Sequence, residues 1–111
     1  MEPGKILEVV FYQTSTGNQP VKEWLKAQPK NTRKIIGEDI KTVQFRWPVG
    51  MPTVRPLGKN LFEVRSNLPD KRIARILFTI FEGYMVLLHG FIKKSEKTPQ
   101  KEIDIARQRM R

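Results

Sequence analysis

Two arginines and a pair of lysines carry most of the chemistry this chain offers. The run Leu57-Gly58-Lys59-Asn60-Leu61-Phe62-Glu63-Val64-Arg65 is followed by Arg72 to Phe81, with Arg75 inside it, and then by Leu87-Leu88-His89-Gly90-Phe91-Ile92-Lys93-Lys94. Cations thus recur on successive strand-like segments beside apolar residues, in a protein of formal charge +10, and such a surface takes a polyanion as its natural partner. The planar fork of arginine pairs bidentately with phosphate oxygens and stays protonated, which makes Arg65 and Arg75 candidates for holding a phosphate. Arg65 is out of phase with the apolar Phe62 and Val64 and so points off the main core face. Glu63 shares the predicted face of Arg65, where it either orients that arginine through an ion pair or serves as an ordinary cross-strand partner. Lys93 and Lys94 follow the last predicted strand. A lysine crowded by other cations has its charged form disfavoured, a state suited to proton transfer. His89 carries the commonest proton-transfer group near neutral pH, but its predicted place at a strand end beside Gly90 favours a structural role. Lys59, Arg72 and Lys97 are candidates for contacts to a nucleic-acid backbone.

Strands and helices must hold these groups together. Ile6 to Tyr12 alternates Leu7, Val9 and Phe11 against Glu8, the period of a strand. Thr16-Gly17-Asn18 breaks that pattern, and Pro20 opens a short helix with Val21, Trp24, Leu25 and Gln28 at three-to-four spacing. A second helix over about Asn31 to Phe45 carries Ile36, Ile40 and Val43 on one stripe. Trp47-Pro48-Val49-Gly50-Met51-Pro52 then reads as a turn-rich connection. Leu61 to Arg65 alternates as a strand, Ile73 to Phe81 is apolar on both sides as a covered central strand is, and Glu82-Gly83 turns the chain into Tyr84 to His89. Thr98-Pro99 supplies a cap and a first-turn proline for a last basic helix with Ile103, Ala106 and Met110 inside. The order β-α-α-β-β-β-α predicts an α+β fold, with two N-terminal helices packed on a small, mainly antiparallel sheet and a C-terminal helix. Trp24 falls on the inner stripe of the first helix and reads as core; Trp47 lies in the connection and is assigned to no site.

Composition sets bounds on this. With 111 residues, 39% hydrophobic and 29% charged, the chain holds one core, so residues 1–111 read as a single domain. Of 21 Lys and Arg, 13 fall in Met51 to Arg111 beside only six acids, which concentrates the positive charge in the second half. Zero cysteines exclude disulfides and thiolate sites, and one histidine is too few for a histidine-based zinc site, so neither metal nor cofactor is expected. No apolar run is long enough to span a bilayer, and Met1-Glu2-Pro3-Gly4-Lys5 lacks the apolar core of a signal peptide; a cytoplasmic protein is expected.

Pro56-Leu57-Gly58-Lys59 leading into Leu61-Phe62-Glu63-Val64-Arg65, and Leu88-His89-Gly90-Phe91-Ile92-Lys93-Lys94 leading into Lys97-Thr98-Pro99 and Glu102-Ile103, resemble the RelE/ParE toxin superfamily. Within it the chain is most similar to the phage-derived, HigB-like branch, along essentially its whole length. The resemblance implies the toxin of a type II toxin–antitoxin pair, a ribosome-dependent messenger-RNA endoribonuclease that inhibits growth and is held in a hetero-oligomer by its antitoxin. It places Arg75 at a family arginine position and Lys93-Lys94 near the leaving group. Metal-free cleavage proceeds by attack of the 2′-hydroxyl on the adjacent phosphate, which needs a proton acceptor, stabilisation of the phosphorane and a donor to the departing 5′ oxygen. Some related toxins use a C-terminal tyrosine, and the last helix here has none. The alternatives are a ParE-like DNA gyrase inhibitor, which shares the fold without the reaction, and a non-catalytic basic RNA-binding module.

Overall fold

In a computed structural model, which describes residues 6–111, the elements follow from those patterns with three differences. Residues 1–5, where a signal-peptide core is expected to be lacking, lie outside the described residues. Strand β1 (Glu8–Phe11) leads to helices α1 (Pro20–Lys26) and α2 (Lys30–Arg46), then to β2 (Val54–Gly58), β3 (Leu61–Asn67), β4 (Ile73–Phe81), β5 (Tyr84–Lys93) and α3 (Gln100–Arg109). The strands form one sheet in the order β1-β5-β4-β3-β2; only the β1–β5 pairing is parallel. Two tight hairpins organise it. Lys59 and Asn60 (φ 46° and 60°) join β2 to β3, while Glu82 and Gly83 (φ 47° and 83°) join β4 to β5, matching the twist of the flanking strands.

Both faces of the sheet are covered. On one, Val21 of α1 and Ile36, Ile40 and Val43 of α2 pack with Val64, Ile76, Phe78, Met85 and Leu87, the main core. On the other, Ala106 of α3 packs with Leu61, Leu77, Leu88 and Phe91. Trp24 packs on the main core as expected, and Trp47 joins it by edge-on contacts with Phe62 and Phe78, their centroids 5.0 and 5.8 Å away. A Cβ on Gly90 would lie 2.8 Å from the Trp24 ring, so only glycine lets α1 approach β5 this closely.

The first difference is β2, a fifth strand beyond the four of the predicted order. Its Pro56 argues against a strand, but β2 is an edge strand, where a missing ladder donor is tolerated. The second is β5, which continues through His89 to Lys93, so His89 lies within a strand and Lys93 ends it rather than following it. A bulge there, with Leu77 opposite His89 but Phe78 opposite Leu87, leaves Leu88 as the extra residue. The third is the start of α3. Pro99 is its cap residue and makes no side-chain cap bond, because the Thr98 hydroxyl donates instead to Glu63 (2.6 Å).

Candidate phosphate-binding cleft

Alternation along β3 and β4 places Glu63, Arg65 and Arg75 on the α3 face, with Arg65 and Arg75 directly opposed in the ladder. Glu63 is fully buried between them, its two carboxylate oxygens each 3.9 Å from one arginine Nε. Of the two open readings of Glu63, the geometry is that of an ion pair facing both arginines. Glu63 Oε2 and Arg75 Nε form no hydrogen bond among the described residues, so charge rather than hydrogen bonding joins them.

The two arginines differ in what they can reach. Arg75 is 0% exposed; it donates to the carbonyl oxygens of Ser95 and Lys97 and lies over the Phe91 ring, 5.6 Å from its centroid. Burial lowers its affinity for the proton, Glu63 opposes that, and Arg65 adds to it. So enclosed, Arg75 acts as an internal clamp on segment 95–97, and unlike Arg65 it does not line the cleft. Arg65 is partly exposed. Its Nη2 donates to the Glu96 carbonyl (3.2 Å) and to Glu96 Oε2 (2.6 Å), and Arg55 of β2 donates to the same carbonyl (3.5 Å).

Arg65 lines a cleft of about 580 Å³ at the end of the sheet, with Asp39 of α2, Thr53, Asn67, Ile73 and Glu96 among its walls. A second recess shares Asn67, Ile73 and Glu96 and adds Lys71, Arg72 and Lys94. The fold therefore gathers Arg65, Arg72 and Lys94 around Glu96. It turns Lys93 elsewhere, toward Glu102 of α3 (4.0 Å), whose other oxygen meets His89 Nε2 (2.7 Å). Successive residues at a strand end point to opposite faces, which separates the two lysines. His89 also stacks on Phe91, 5.9 Å between centroids, as a packed residue does. Lys97 lends its carbonyl to Arg75 while its side chain is exposed. Lys59 sits at the β2–β3 hairpin, about 20 Å along β3 from Arg65, and does not join the cleft.

Four residues of this arrangement went unassigned on sequence: Arg55, Lys71, Glu96 and Glu102. Glu96 did carry a signal, as the lone acid within Lys93-Lys94-Ser95-Glu96-Lys97. Arg55 was hidden by the missed strand, and Lys71 by a turn with left-handed φ at both Asp70 and Lys71. Among the described residues no helix is long and apolar enough to cross a membrane. A family model described as phage derived protein Gp49-like (DUF891) matches residues 23–111, most of the chain. No curated protein matches it.

Proposed function

The chain belongs to the phage-derived Gp49-like family, and from that premise we propose that it is the toxin of a type II toxin–antitoxin pair, an endoribonuclease that cuts messenger RNA on the ribosome without a metal. The observation that carries this reading is Arg65, a partly exposed guanidinium that lines the first recess, adjoins a second recess lined by Lys71, Arg72 and Lys94, and is backed by the buried carboxylate of Glu63. The two motifs shared with the RelE/ParE superfamily support it as well.

The 2′-hydroxyl of one nucleotide attacks its own 3′-phosphate, the P–O5′ bond to the next nucleotide breaks, and a 2′,3′-cyclic phosphate and a 5′-hydroxyl result. Arg65 stabilises the negative charge that builds on the phosphorane, where a preorganised donor counts most. Lys94, which lines the second recess, protonates the departing oxygen; Lys93 and Lys97 add to the positive potential at longer range. Arg75, His89 and Glu102 hold the framework: the first pins segment 95–97, and the other two tie β5 to α3. Without a proton acceptor assigned in the chain, the ribosome completes the site, and the antitoxin keeps it closed by covering the cationic face.

The test is to map RNA ends after brief induction in cells. The expected result is cuts in phase with codons, bearing 5′-hydroxyl ends, and their disappearance with Arg65→Ala. Intact messages together with gyrase-linked DNA breaks would replace this reading by the ParE-like one.

A further inference from the structure

Glu96 stands where an anion should. Its carboxylate is 83% exposed yet lies 2.6 Å from Arg65 Nη2, and Glu96 is the one residue of segment 93–97 that borders both recesses of the cleft. Arg65 does not depend on that carboxylate for its position, since the Glu96 carbonyl and Glu63 hold the guanidinium from other sides. An exposed pair of this kind is held weakly, so another anion can take its place at little cost. On the far side of Glu96 the cations are Lys71, Arg72 and Lys94, and Glu96 is the one carboxylate lining that recess among the described residues. Lys71 and Arg72 are presented by a turn in which Asp70 and Lys71 hold φ of 66° and 60°, closed by a bond from Leu68 N to Arg72 O (2.8 Å). Left-handed backbone at two adjacent side-chain-bearing residues has a conformational cost, and here it sets two cations beside Lys94.

We propose that the cleft is a groove with two phosphate seats in series, one at Arg65 and one at Lys71, Arg72 and Lys94, and that the Glu96 carboxylate occupies the first seat until a single strand bearing consecutive phosphates displaces it. The Glu96 carboxylate meets Arg65 through one oxygen, Oε2 on Nη2, and a phosphate oxygen can take that same place as a charge-assisted acceptor. The proposal rests on reading Arg65 as a phosphate contact, and not on cleavage. It goes further in naming the smallest well-held ligand, a dinucleotide with a second phosphate at its end, and the internal group that competes with it. Asp39, which also lines the first recess, remains a fixed repulsive charge there, while Glu96 is the one carboxylate lining the second among the described residues.

The test uses the full chain and 2′-deoxy dinucleotides with and without a 5′-phosphate, which cannot undergo 2′-hydroxyl attack, titrated calorimetrically at several salt concentrations. Glu96→Gln is expected to tighten binding by about tenfold, the order of one charge-assisted contact. Glu82→Gln, the same change in net charge at the distant β4–β5 hairpin, serves as the control and is expected to change it little. The added 5′-phosphate is expected to steepen the salt dependence by about 0.7 in log–log slope, and Lys71→Asn, a residue tolerated at left-handed φ, to remove that increment. Equal effects of Glu96→Gln and Glu82→Gln, or a 5′-phosphate increment that survives Lys71→Asn, would overturn the two-seat groove. These outcomes do not depend on turnover: binding as expected with ribosome-bound message left uncut sinks the endoribonuclease and leaves the seats, and cleavage of that message without this binding pattern does the reverse.

Discussion

At the scale of single residues, Arg65 and Arg75 look alike in sequence and are opposed in the ladder, yet only one borders the cleft. Arg65→Ala removes the guanidinium that would meet the phosphorane, and a loss on the order of a hundredfold in cleavage rate is expected with the fold intact. Single-turnover kinetics with a thermal melt check this; a soluble Arg65→Ala protein with full activity would dismiss the assignment. Arg75→Leu strands the buried Glu63 carboxylate with less compensating charge and frees the carbonyls of Ser95 and Lys97. A stability loss of about 3 kcal/mol is expected from leaving one partner of a buried pair unmatched. Urea unfolding measures it, and unchanged stability would show that Arg75 is not the clamp described. The phase of Arg65 was legible in the alternation of Leu61 to Arg65. The burial of Arg75 was not, because it depends on segment 95–97, which is close only after β4 and β5 pair.

At the scale of elements, the contact between α1 and β5 turns on Gly90. Alanine there drives Cβ to 2.8 Å from the Trp24 ring and 3.0 Å from Ile76 Cδ1, and overpacking of this kind costs about 1 to 3 kcal/mol. If Gly90→Ala left the urea midpoint unmoved, α1 would not be seated as described. Helix α2 begins with Lys30, Arg33 and Lys34, has no acid in its first turn and no side-chain cap from Pro29, so cations sit at the positive end of its dipole. Lys30→Glu is expected to stabilise the protein by about 0.5 kcal/mol at low salt, less as salt rises. A destabilised Lys30→Glu protein would argue that these cations meet a partner charge instead. Strand β2 escaped the sequence reading because Pro56 is permitted at an edge, and edge status belongs to the sheet order rather than to any local run.

Taken whole, the molecule carries +10, most of it from the second half, and that half supplies most of the cleft's lining, with Ile35 and Asp39 added by α2. An acidic antitoxin segment that covers the cleft should associate fast, with an on-rate that falls as salt screens the attraction. Stopped-flow binding to the co-expressed partner at several ionic strengths reads this out, and a salt-independent on-rate would remove steering from the account. With no proton acceptor assigned within the chain, purified protein should cut naked RNA slowly and translating message quickly. Equal rates on the two substrates would place the whole active site in this chain.

The sequence by itself determined the elements whose signals are local. The three-to-four stripe of α2, the doubly apolar β4, the Glu82-Gly83 turn and the α+β class all come from periodicity and turn chemistry, which act within a dozen residues. It also determined that Arg65 leaves the main core face. Only the tertiary structure decided which cations meet. Glu96 lies 31 residues from Arg65 and Thr98 lies 35 from Glu63, and these pairs form because the antiparallel pairing of β3, β4 and β5 returns the chain to the same sheet end. The bulge opposite Leu77 and Phe78 sets the phase of β5 beyond it, and so which side Lys93 takes. One residue of slip at that point would exchange the faces of the following side chains, which is why composition located the charge but pairing located the site.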